Sequence, residues 1–543
     1  MRKQTKLVAV LSAAALLAIG ASMTSFAAKG WVEEGGQWYY YDNNGDYVTN
    51  DWKKSGNNWF WLGDDGSMVT DSIVEDGDYK YYVNANGAMV TNSWVAVEPG
   101  DDDNEDDAPD HYWYYFGANG KACKASDSSK GIVVKTINGK KYGFDRDSKM
   151  LYGWVSDEGE KITDESPFMD AMYYFGTEDD GAMHTDWLQY MDGSDESSTL
   201  SGKEYSDMDE MWFYFNVSNS KKVDARDDKD GTIDEKIYQK TIRGNKYGFD
   251  ENGVMVYEWT GAGTPSQNKA TKSGIKYFST EDDGHLKKKT WIWAVPSETI
   301  DADDYDDDTY RWFYADATGT TYKSDIKKIN GKKYLFDENG VMLSGLQWVT
   351  PDTNGYKATD DNTDDSDEIK AGLPDNADAD LYYFGDEATD GSMKTGKNIK
   401  IELDDDTFTF AFKSNGKAYN YNRVADEEKG KLEGLTDSKI YINGLLIKAN
   451  SDDRYTYIGS DLLEDGNEYL VGTSGTVVSK GKYVKDGDDN WWSVDKNGVV
   501  TNWGSDDESK DKARCQSKNT KDGTEENFTE TTEDDGDVRV ECK

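Results

Sequence analysis

The chain has 543 residues, of which 107 are Asp or Glu and 61 are Lys or Arg, which gives a formal net charge of −46. This charge repels nucleic acids and anionic membrane surfaces, so neither is an expected partner. Aromatic residues make up 13% of the chain, which argues against simple disorder because such side chains bury apolar surface on folding.

The first 27 residues have the features of a secretory signal peptide. A basic head at Arg2, Lys3 and Lys6 precedes an apolar stretch, and small residues around Ala27 suit cleavage by a signal peptidase. The apolar stretch is short for a membrane span. The sequence therefore predicts a secreted protein without membrane insertion.

The residues that follow contain an internal repeat with a period of 21 residues. Trp31 and Trp52 open successive repeats, and Trp38 and Trp59 begin their aromatic middle segments. Aromatic runs favour strands, and a pair such as Asn44-Gly45 is a strong signal for a tight turn that reverses the chain. One hairpin is marginal in water, whereas stacked hairpins bury each other's aromatic faces. The predicted fold class is all-β, an elongated solenoid of stacked β-hairpin repeats.

The repeat pattern changes along the chain and defines four predicted segments after the signal peptide. Hairpin repeats occupy residues 28–130, and three-hairpin modules with acidic inserts occupy residues 131–400. Degenerate hairpin repeats follow in residues 401–504. Residues 505–543 are polar, and we expect a flexible tail there.

The order Gly-Trp, Trp-Tyr-Tyr, Asn-Gly, Met, Trp resembles the cell-wall-binding (choline-binding-type) repeats of Gram-positive surface proteins. It is also similar to glucan-binding repeats and to the carbohydrate-binding repeats of clostridial toxins, which residues 140–145 resemble more closely. The resemblance implies a ligand between consecutive hairpins, caged by the opening Trp, the first Trp of Trp-Tyr-Tyr and an aromatic ring of the next repeat. Quaternary ammonium has no hydrogen to donate, so the negative faces of such rings recognise it.

The positions that match this pattern define two predicted aromatic cages. The first consists of Trp31, Trp38 and Trp59, and the second consists of Trp52, Trp59 and Tyr81. The two Trp residues within each of these repeats are 7 positions apart, a spacing that later repeats lose through acidic inserts, so cages are predicted for the N-terminal repeats alone. The inserts are candidates for lining glycan grooves, in which rings stack on sugars and carboxylates accept hydroxyl hydrogen bonds. For any single ring, the alternative is packing between hairpins.

No cofactor is predicted. Residues 227–233 depart from the calcium-loop pattern, and the acidic runs 101–107 and 301–308 are candidates for loose calcium binding, with solvated loops as the alternative. The three histidines have no metal-ligand spacing: His111, His184 and His285.

The three cysteines leave the disulfide pattern open. Cys515 and Cys542 lie in the predicted tail and can pair in an oxidising compartment. Cys123 is then left as a free thiol or an intermolecular link.

The sequence favours a binding protein over an enzyme. It contains no nucleophile elbow, zinc motif or phosphate loop, and no non-repetitive stretch is long enough for a separate catalytic domain. The leading hypothesis is a secreted, non-catalytic protein, associated with the cell wall or cell surface, that binds a cell-wall polymer (choline-substituted teichoic acid) or a glucan-type polysaccharide through many weak sites acting together. The alternative is a structural or adhesive surface spacer without a small-ligand site.

Overall fold

A computed structural model describes most of the chain between residues 29 and 543, in two compact units. The first unit holds the described residues up to 257 together with 280–285, and the second holds 258–279 and 286–543. The described residues are 29–100, 109–126, 130–163, 166–190, 199–200, 203–204, 210–224, 237–260, 275–353, 355–359, 363, 365–371, 379–386, 390–403, 405–419, 435–436, 438–460, 463, 466–479, 482–516, 528–533 and 537–543.

The first unit consists of antiparallel hairpins. Most strands pair with their neighbour in the chain, while β13 (Asp186–Tyr190) pairs with β16 (Met211–Phe215) across a small hairpin of β14 (Thr199–Leu200) and β15 (Lys203–Glu204). Its strands are β1 (Gly30–Glu34), β2 (Gln37–Tyr41), β3 (Asp51–Ser55), β4 (Asn58–Leu62), β5 (Ser72–Asp76), β6 (Tyr79–Val83), β7 (Ser93–Val97), β8 (Tyr112–Phe116), β9 (Val133–Ile137), β10 (Lys140–Phe144), β11 (Trp154–Val155), β12 (Tyr173–Tyr174), β13 (Asp186–Tyr190), β14 (Thr199–Leu200), β15 (Lys203–Glu204), β16 (Met211–Phe215), β17 (Tyr238–Ile242), β18 (Asn245–Phe249) and β19 (Met255–Val256).

In its described residues the second unit continues with hairpins and adds three short helices and a five-stranded sheet, in the order β30 (Gly396–Leu403), β31 (Asp406–Phe412), β34 (Leu445–Leu446), β33 (Lys439–Ile442) and β32 (Leu435–Thr436). Its elements are β20 (Trp259–Thr260), β21 (Lys276–Tyr277), β22 (Thr290–Ala294), α1 (Ala302–Asp306), β23 (Arg311–Ala315), β24 (Asp325–Ile329), β25 (Lys332–Phe336), β26 (Met342–Leu343), β27 (Leu346–Asp352), β28 (Gly355–Ala358), α2 (Ser366–Ala371), β29 (Asp380–Tyr383), β30 (Gly396–Leu403), β31 (Asp406–Phe412), β32 (Leu435–Thr436), β33 (Lys439–Ile442), β34 (Leu445–Leu446), β35 (Tyr455–Ile458), β36 (Tyr469–Gly472), β37 (Tyr483–Lys485), β38 (Trp491–Val494), β39 (Val500–Gly504), α3 (Asp507–Gln516), β40 (Phe528–Thr532) and β41 (Val538–Cys542).

Each hairpin has two different faces because side chains alternate along a strand. In the β3–β4 hairpin, Trp52 pairs with Trp61 on one face, while Lys53 pairs with Phe60 on the other. Rings of one hairpin contact the facing side of the next, as Trp31 does with Phe60 at 5.3 Å between ring centroids. The prediction of an all-β fold of stacked hairpin repeats is confirmed.

The turn that joins the two strands of the first hairpin is not the predicted Asn44-Gly45 pair. In the β1–β2 hairpin the reversal occurs at Gly35-Gly36, both with positive φ, as a type I′ turn requires. Asn44-Gly45 lies after the second strand, where Asp42 Oδ1 accepts the backbone N–H of Asn44 at 2.7 Å and of Asp46 at 3.1 Å. The Asn-Gly pair therefore turns the linker between hairpins, because an Asx turn forms there.

The methionine of one linker packs over a glycine further along the chain. A Cβ added at Gly181, whose φ is +52°, would overlap the Met150 side chain, and one at Gly87 would overlap Met68 in the same way. The backbone N–H of Met150 also donates to the carbonyl of Trp113 at 2.8 Å. These contacts fix the spacing between consecutive hairpins and thereby the positions of the aromatic rings between them.

The predicted flexible tail at 505–543 differs from the structure in its described parts. Helix α3 and the β40–β41 hairpin occupy much of it, and a disulfide joins Cys515 to Cys542. Cys515, Phe528 and Val540 form a buried cluster, so a few apolar side chains and one covalent link order a segment that is polar overall. Cys123 is a free, half-buried thiol.

Several predicted features lie outside the described residues. These are the signal peptide, the acidic run 101–107 and the calcium-loop-like residues 227–233. None of the described helices is long and apolar enough to span a membrane. The division between the two units falls within the predicted module segment 131–400.

Candidate functional site

The contacts between consecutive hairpins carry the candidate sites. Trp31 and Tyr40 lie opposite each other on the face of the β1–β2 hairpin that contains Trp38. That face packs on Phe60 and Leu62 of the next hairpin. An aromatic surface therefore meets an apolar surface at this contact.

The first predicted cage differs from the structure in its third ring. Trp31 and Trp38 belong to one cluster, but the ring that reaches them from the next hairpin is Phe60 and not Trp59. The reason is strand alternation, since adjacent residues point to opposite faces. Trp59 shares the opposite face with Trp52, toward the third hairpin.

The second predicted cage has its three rings on facing surfaces. Trp52 contacts Tyr81 of the next hairpin at 5.2 Å between ring centroids, and its indole N–H donates to Asp76 Oδ2 at 3.2 Å. Trp59 lies on the same face as Trp52 and is 41% exposed, with the Lys54 ammonium 5.8 Å from its ring centroid. Whether these rings bind a ligand stays a prediction.

Three later contacts contain a more compact arrangement that was not predicted. Trp94 and Trp113 of the β7–β8 hairpin lie 6.3 Å apart at 86°, and Tyr142 of the next hairpin lies 4.8 Å from Trp94 at 65°. We call this set triad 1. Its rings belong to the half-buried margin of the cluster that contains Phe144 and Met150.

The same geometry recurs twice. Triad 2 consists of Trp187, Trp212 and Tyr247, and triad 3 consists of Trp291, Trp312 and Tyr334. The two Trp rings lie 6.4 Å apart at 81° in triad 2 and 6.1 Å apart at 87° in triad 3. The Tyr ring lies 4.8 Å from the first Trp in both, at 68° and 73°. Such agreement in distances and angles indicates one local structure that is repeated in register.

The triads survive the acidic inserts because the inserts lie in the connections between paired strands. The strand register still places the second Trp of each triad on the second strand, opposite the residue that lies two positions after the first Trp. These pairs are Ala96 with Trp113, Gln189 with Trp212 and Trp293 with Trp312. The distance along the chain between the two Trp residues therefore changes, whereas their distance in space does not. A signal in the sequence could have located the second Trp of each triad. That Trp begins the aromatic run of the second strand, at a constant distance before the turn that follows the strand.

The phenol and indole groups of the triads are neutral and largely withdrawn from water. Burial raises the pKa of Tyr142 and of Tyr334, so both phenols remain neutral around neutral pH. The buried indole N–H groups of Trp113 and Trp212 find no hydrogen-bond acceptor among the described residues.

Neighbouring rings on these hairpins already hold ammonium groups of the chain itself. The Lys149 ammonium lies 3.5 Å from the ring centroid of Tyr112, and that of Lys121 lies 3.5 Å from Tyr79. Both distances are well within the range of a cation–π interaction. The aromatic surfaces of this fold are thus chemically suited to organic cations.

The described residues contain no group of three or more His, Cys, Asp or Glu side chains arranged to hold a metal ion. Within the acidic run 301–308, Asp304 is occupied by a two-point ion pair with Arg311. His184 contacts the Trp187 carbonyl at 2.9 Å through Nε2. Calcium binding by the acidic loops stays an untested prediction.

The fold and these contacts define a class of protein, an all-β array of hairpins whose interfaces are built from Trp, Tyr and Phe rings. The choline-binding repeat family matches residues 50–94, a range that contains Trp52, Trp59 and Tyr81. A family of cell wall binding repeats matches residues 29–47 and 327–342. The chain therefore contains choline-binding-type, cell-wall-binding repeats, and the resemblance noted in the sequence is confirmed.

Known proteins share similarity over parts of the chain. Glucosyltransferase-S of Streptococcus mutans is 24% identical over 275 residues, which cover 46% of this chain and 16% of that protein. The chain thus matches about a sixth of that relative's length. Solved structures with similarity include CbpJ of Streptococcus pneumoniae, with 14% identity, TM-score 0.33, and coverage of 72% of this chain and 99% of that one. The modular autolysin LytC of the same species, in complex with a synthetic peptidoglycan ligand, has 14% identity and TM-score 0.30, covering 59% and 54%.

Proposed function

We propose that this chain is a secreted, non-catalytic binding protein that attaches to a bacterial cell-wall polymer by holding its cationic substituents in aromatic sites between hairpins. The observation that carries the proposal is the recurrence of triads 1, 2 and 3 with nearly the same ring distances and angles. Aromatic packing favours edge-to-face pairs of rings, but it does not require two indoles and a phenol in the same positions at three contacts.

The chemistry of the triads favours a quaternary ammonium group such as choline. Each triad brings two indoles and a phenol together at one contact between hairpins, and an aromatic face attracts a cation by about 0.5–2 kcal/mol. Every triad hairpin also carries an acidic insert, at residues 98–110, 191–210 and 295–310, which raises the local concentration of cations. A polymer that engages several such sites at once gains avidity well beyond the affinity of one site.

The N-terminal rings extend the same proposal. Trp52, Trp59 and Tyr81 lie within the residues that match the choline-binding repeat family, and Trp31 and Trp38 begin the array. In the first of these sites we assign the third ring to Phe60, which faces Trp31.

Export, location on the cell surface and the lack of catalysis are parts of the proposal that rest on sequence. The signal-peptide pattern of residues 1–27 supports secretion. Choline-binding-type repeats are binding modules and support attachment to the wall. The similarity to Glucosyltransferase-S supports polysaccharide binding as a second candidate function.

A pull-down of the full chain on purified cell walls that bear choline-substituted teichoic acid tests the proposal, with insoluble glucan as the second matrix. We expect retention on the walls and release by free choline. A triple variant, Trp113→Ala, Trp212→Ala and Trp312→Ala, is expected to lose most of this retention, because it removes one ring from each triad. Trp503→Ala is the control for loss of an indole outside the triads, since Trp503 is exposed.

The outcomes separate the candidate functions. Unchanged retention of a folded triple variant, checked by circular dichroism, would contradict the triads as the sites. Binding that choline leaves intact but soluble glucan competes away would favour the polysaccharide candidate. Absence of binding to either matrix would favour the structural spacer. Trp38→Ala and Trp59→Ala test the N-terminal sites in the same assay.

A further inference from the structure

The β22–β23 hairpin carries two exposed rings beside triad 3. Trp293 is 47% exposed and Tyr310 is 50% exposed, and the two rings are stacked at 5.8 Å and 26°. Trp293 also lies 4.8 Å from Trp312, a member of triad 3. We call Trp293 and Tyr310 the platform. Through the contact between Trp293 and Trp312, the platform continues the aromatic contacts of triad 3 to the protein surface.

The platform is held in place by the folded insert that precedes it. Arg311, next to Tyr310, donates from Nε and Nη2 to the two oxygens of Asp304, at 2.7 Å each. Asp301 caps α1 by accepting the Asp304 N–H at 3.1 Å, and Ile300 is buried in the adjoining core cluster. A surface that is already ordered loses little conformational entropy when a ligand binds.

The platform is specific to triad 3. The residue that corresponds to Trp293 is Ala96 beside triad 1 and Gln189 beside triad 2. Gln189 donates from its amide to Glu210, which stands where Tyr310 stands in the third hairpin. Packing of the hairpin therefore does not require rings at these two positions.

We propose that the platform is a sugar-stacking subsite that takes a neutral hexopyranose ring of a glycan. The exposed parts of the Trp293 and Tyr310 rings offer apolar surface of the kind that packs against the C–H groups of a pyranose. Asp306, Asp307 and Asp308 are exposed and lie just before Tyr310, so they can accept hydroxyl hydrogen bonds but repel anionic sugars.

This subsite deepens the proposed function and rests on it in one respect. Because Trp312 belongs to triad 3 and contacts Trp293, a polymer with its cationic substituent in triad 3 would place a neighbouring sugar on the platform. Sugar binding by the platform itself can be measured without any cation.

The test uses the full chain with isomaltotriose and cellotriose as neutral probes and trigalacturonate as the anionic probe. Binding is followed by Trp fluorescence and saturation-transfer NMR. We expect at least one neutral trisaccharide to bind, and Trp293→Ala to weaken that binding at least tenfold. Trp293→Tyr keeps a ring and should retain it, while Gln189→Ala, the register-matched control beside triad 2, should behave as the unaltered chain. Trigalacturonate should not bind.

Each other outcome would overturn the subsite. These outcomes are failure of both neutral probes to bind, equal binding by Trp293→Ala, or equal binding of trigalacturonate. Self-association of the chain that Trp293→Ala abolishes would assign the platform to a second copy instead. Release of the unaltered chain from cell walls by choline is measured in parallel, so loss of sugar binding in Trp293→Ala and failure of the cationic sites give different results.

Discussion

Substitution of Gly181 by Ala tests whether the Met–Gly contacts set the spacing between hairpins. A Cβ at this position would overlap the methyl and sulfur atoms of Met150, and φ is +52°. Gly153 is the matched control, because its φ is +69° but a Cβ there would meet no atom within 4 Å. Both substitutions incur the cost of a left-handed backbone for Ala, about 1–2 kcal/mol. Only Gly181→Ala adds overpacking, worth about 1–3 kcal/mol.

The cost should be measured locally, because the stability of a repeat array is not one two-state quantity. We expect hydrogen exchange of the β8 and β10 amides to accelerate roughly tenfold or more in Gly181→Ala, since about 1.4 kcal/mol is a factor of ten. Strand β8 responds because the Met150 N–H donates to the Trp113 carbonyl, and β10 responds because the neighbouring Leu151 N–H donates to the Gly143 carbonyl at 2.9 Å. Gly153→Ala should leave both strands nearly as protected as before.

A double substitution gives the decisive comparison. Met150→Ala removes the side chain that the new Cβ would meet, so Gly181→Ala in that background should cost no more than Gly153→Ala does. The coupling between the two sites should then equal the overpacking cost, about 1–3 kcal/mol. Equal effects of Gly181→Ala and Gly153→Ala in the unaltered background would refute the reasoning, because the added Cβ at position 181 would then cause no overpacking against Met150.

Two further predictions concern pH and the disulfide. Burial raises the pKa of Asp145 from 3.8 to about 6, so its stabilising contribution is complete below pH 3.8 and is lost as the pH rises through about 6. Asp145→Asn keeps the acceptor oxygen and should remove this part of the pH dependence of β10 hydrogen exchange; an unchanged profile would contradict the assignment. Reduction of the Cys515–Cys542 bond, whose partners are 27 residues apart, should destabilise α3 and β41 by about 3 kcal/mol. Equal exchange in reduced and oxidised protein would show that apolar packing alone holds this segment.

The hairpin class could be predicted because its causes are local. Aromatic runs such as residues 38–41 favour a pleated strand, and their recurrence after 21 residues shows that each repeat must bury its rings against the next. The position of the strand reversal was less accessible. Gly35-Gly36 and Asn44-Gly45 both permit positive φ, and the carboxylate of Asp42 decides which role the second pair takes by accepting two backbone N–H groups.

The rings that make up each cage depend on which face of its hairpin each side chain lies on, and the spacing of Trp residues in the sequence does not determine that face. Trp59 and Phe60 are adjacent in sequence, but one faces forward and the other backward along the array. A one-residue change of phase moves a side chain to the opposite face. The ordered C-terminal segment was missed for a different reason, since the Cys515–Cys542 bond and a cluster with only two further buried apolar residues, Phe528 and Val540, leave little trace in a polar composition.

The three triads show how one ring arrangement can be combined with different surroundings. Their ring geometry depends only on strand register and on the contact with the next hairpin, so residues inserted between the paired strands leave it unchanged. The inserts and the adjoining pair of positions are then free to differ, and they do: Ala96 beside triad 1, Gln189 beside triad 2 and Trp293 beside triad 3. If the triads take the same cationic substituent, their neighbours determine which polymer presents it. A chain with all three would bind a polymer whose cation is constant and whose neighbouring sugars vary.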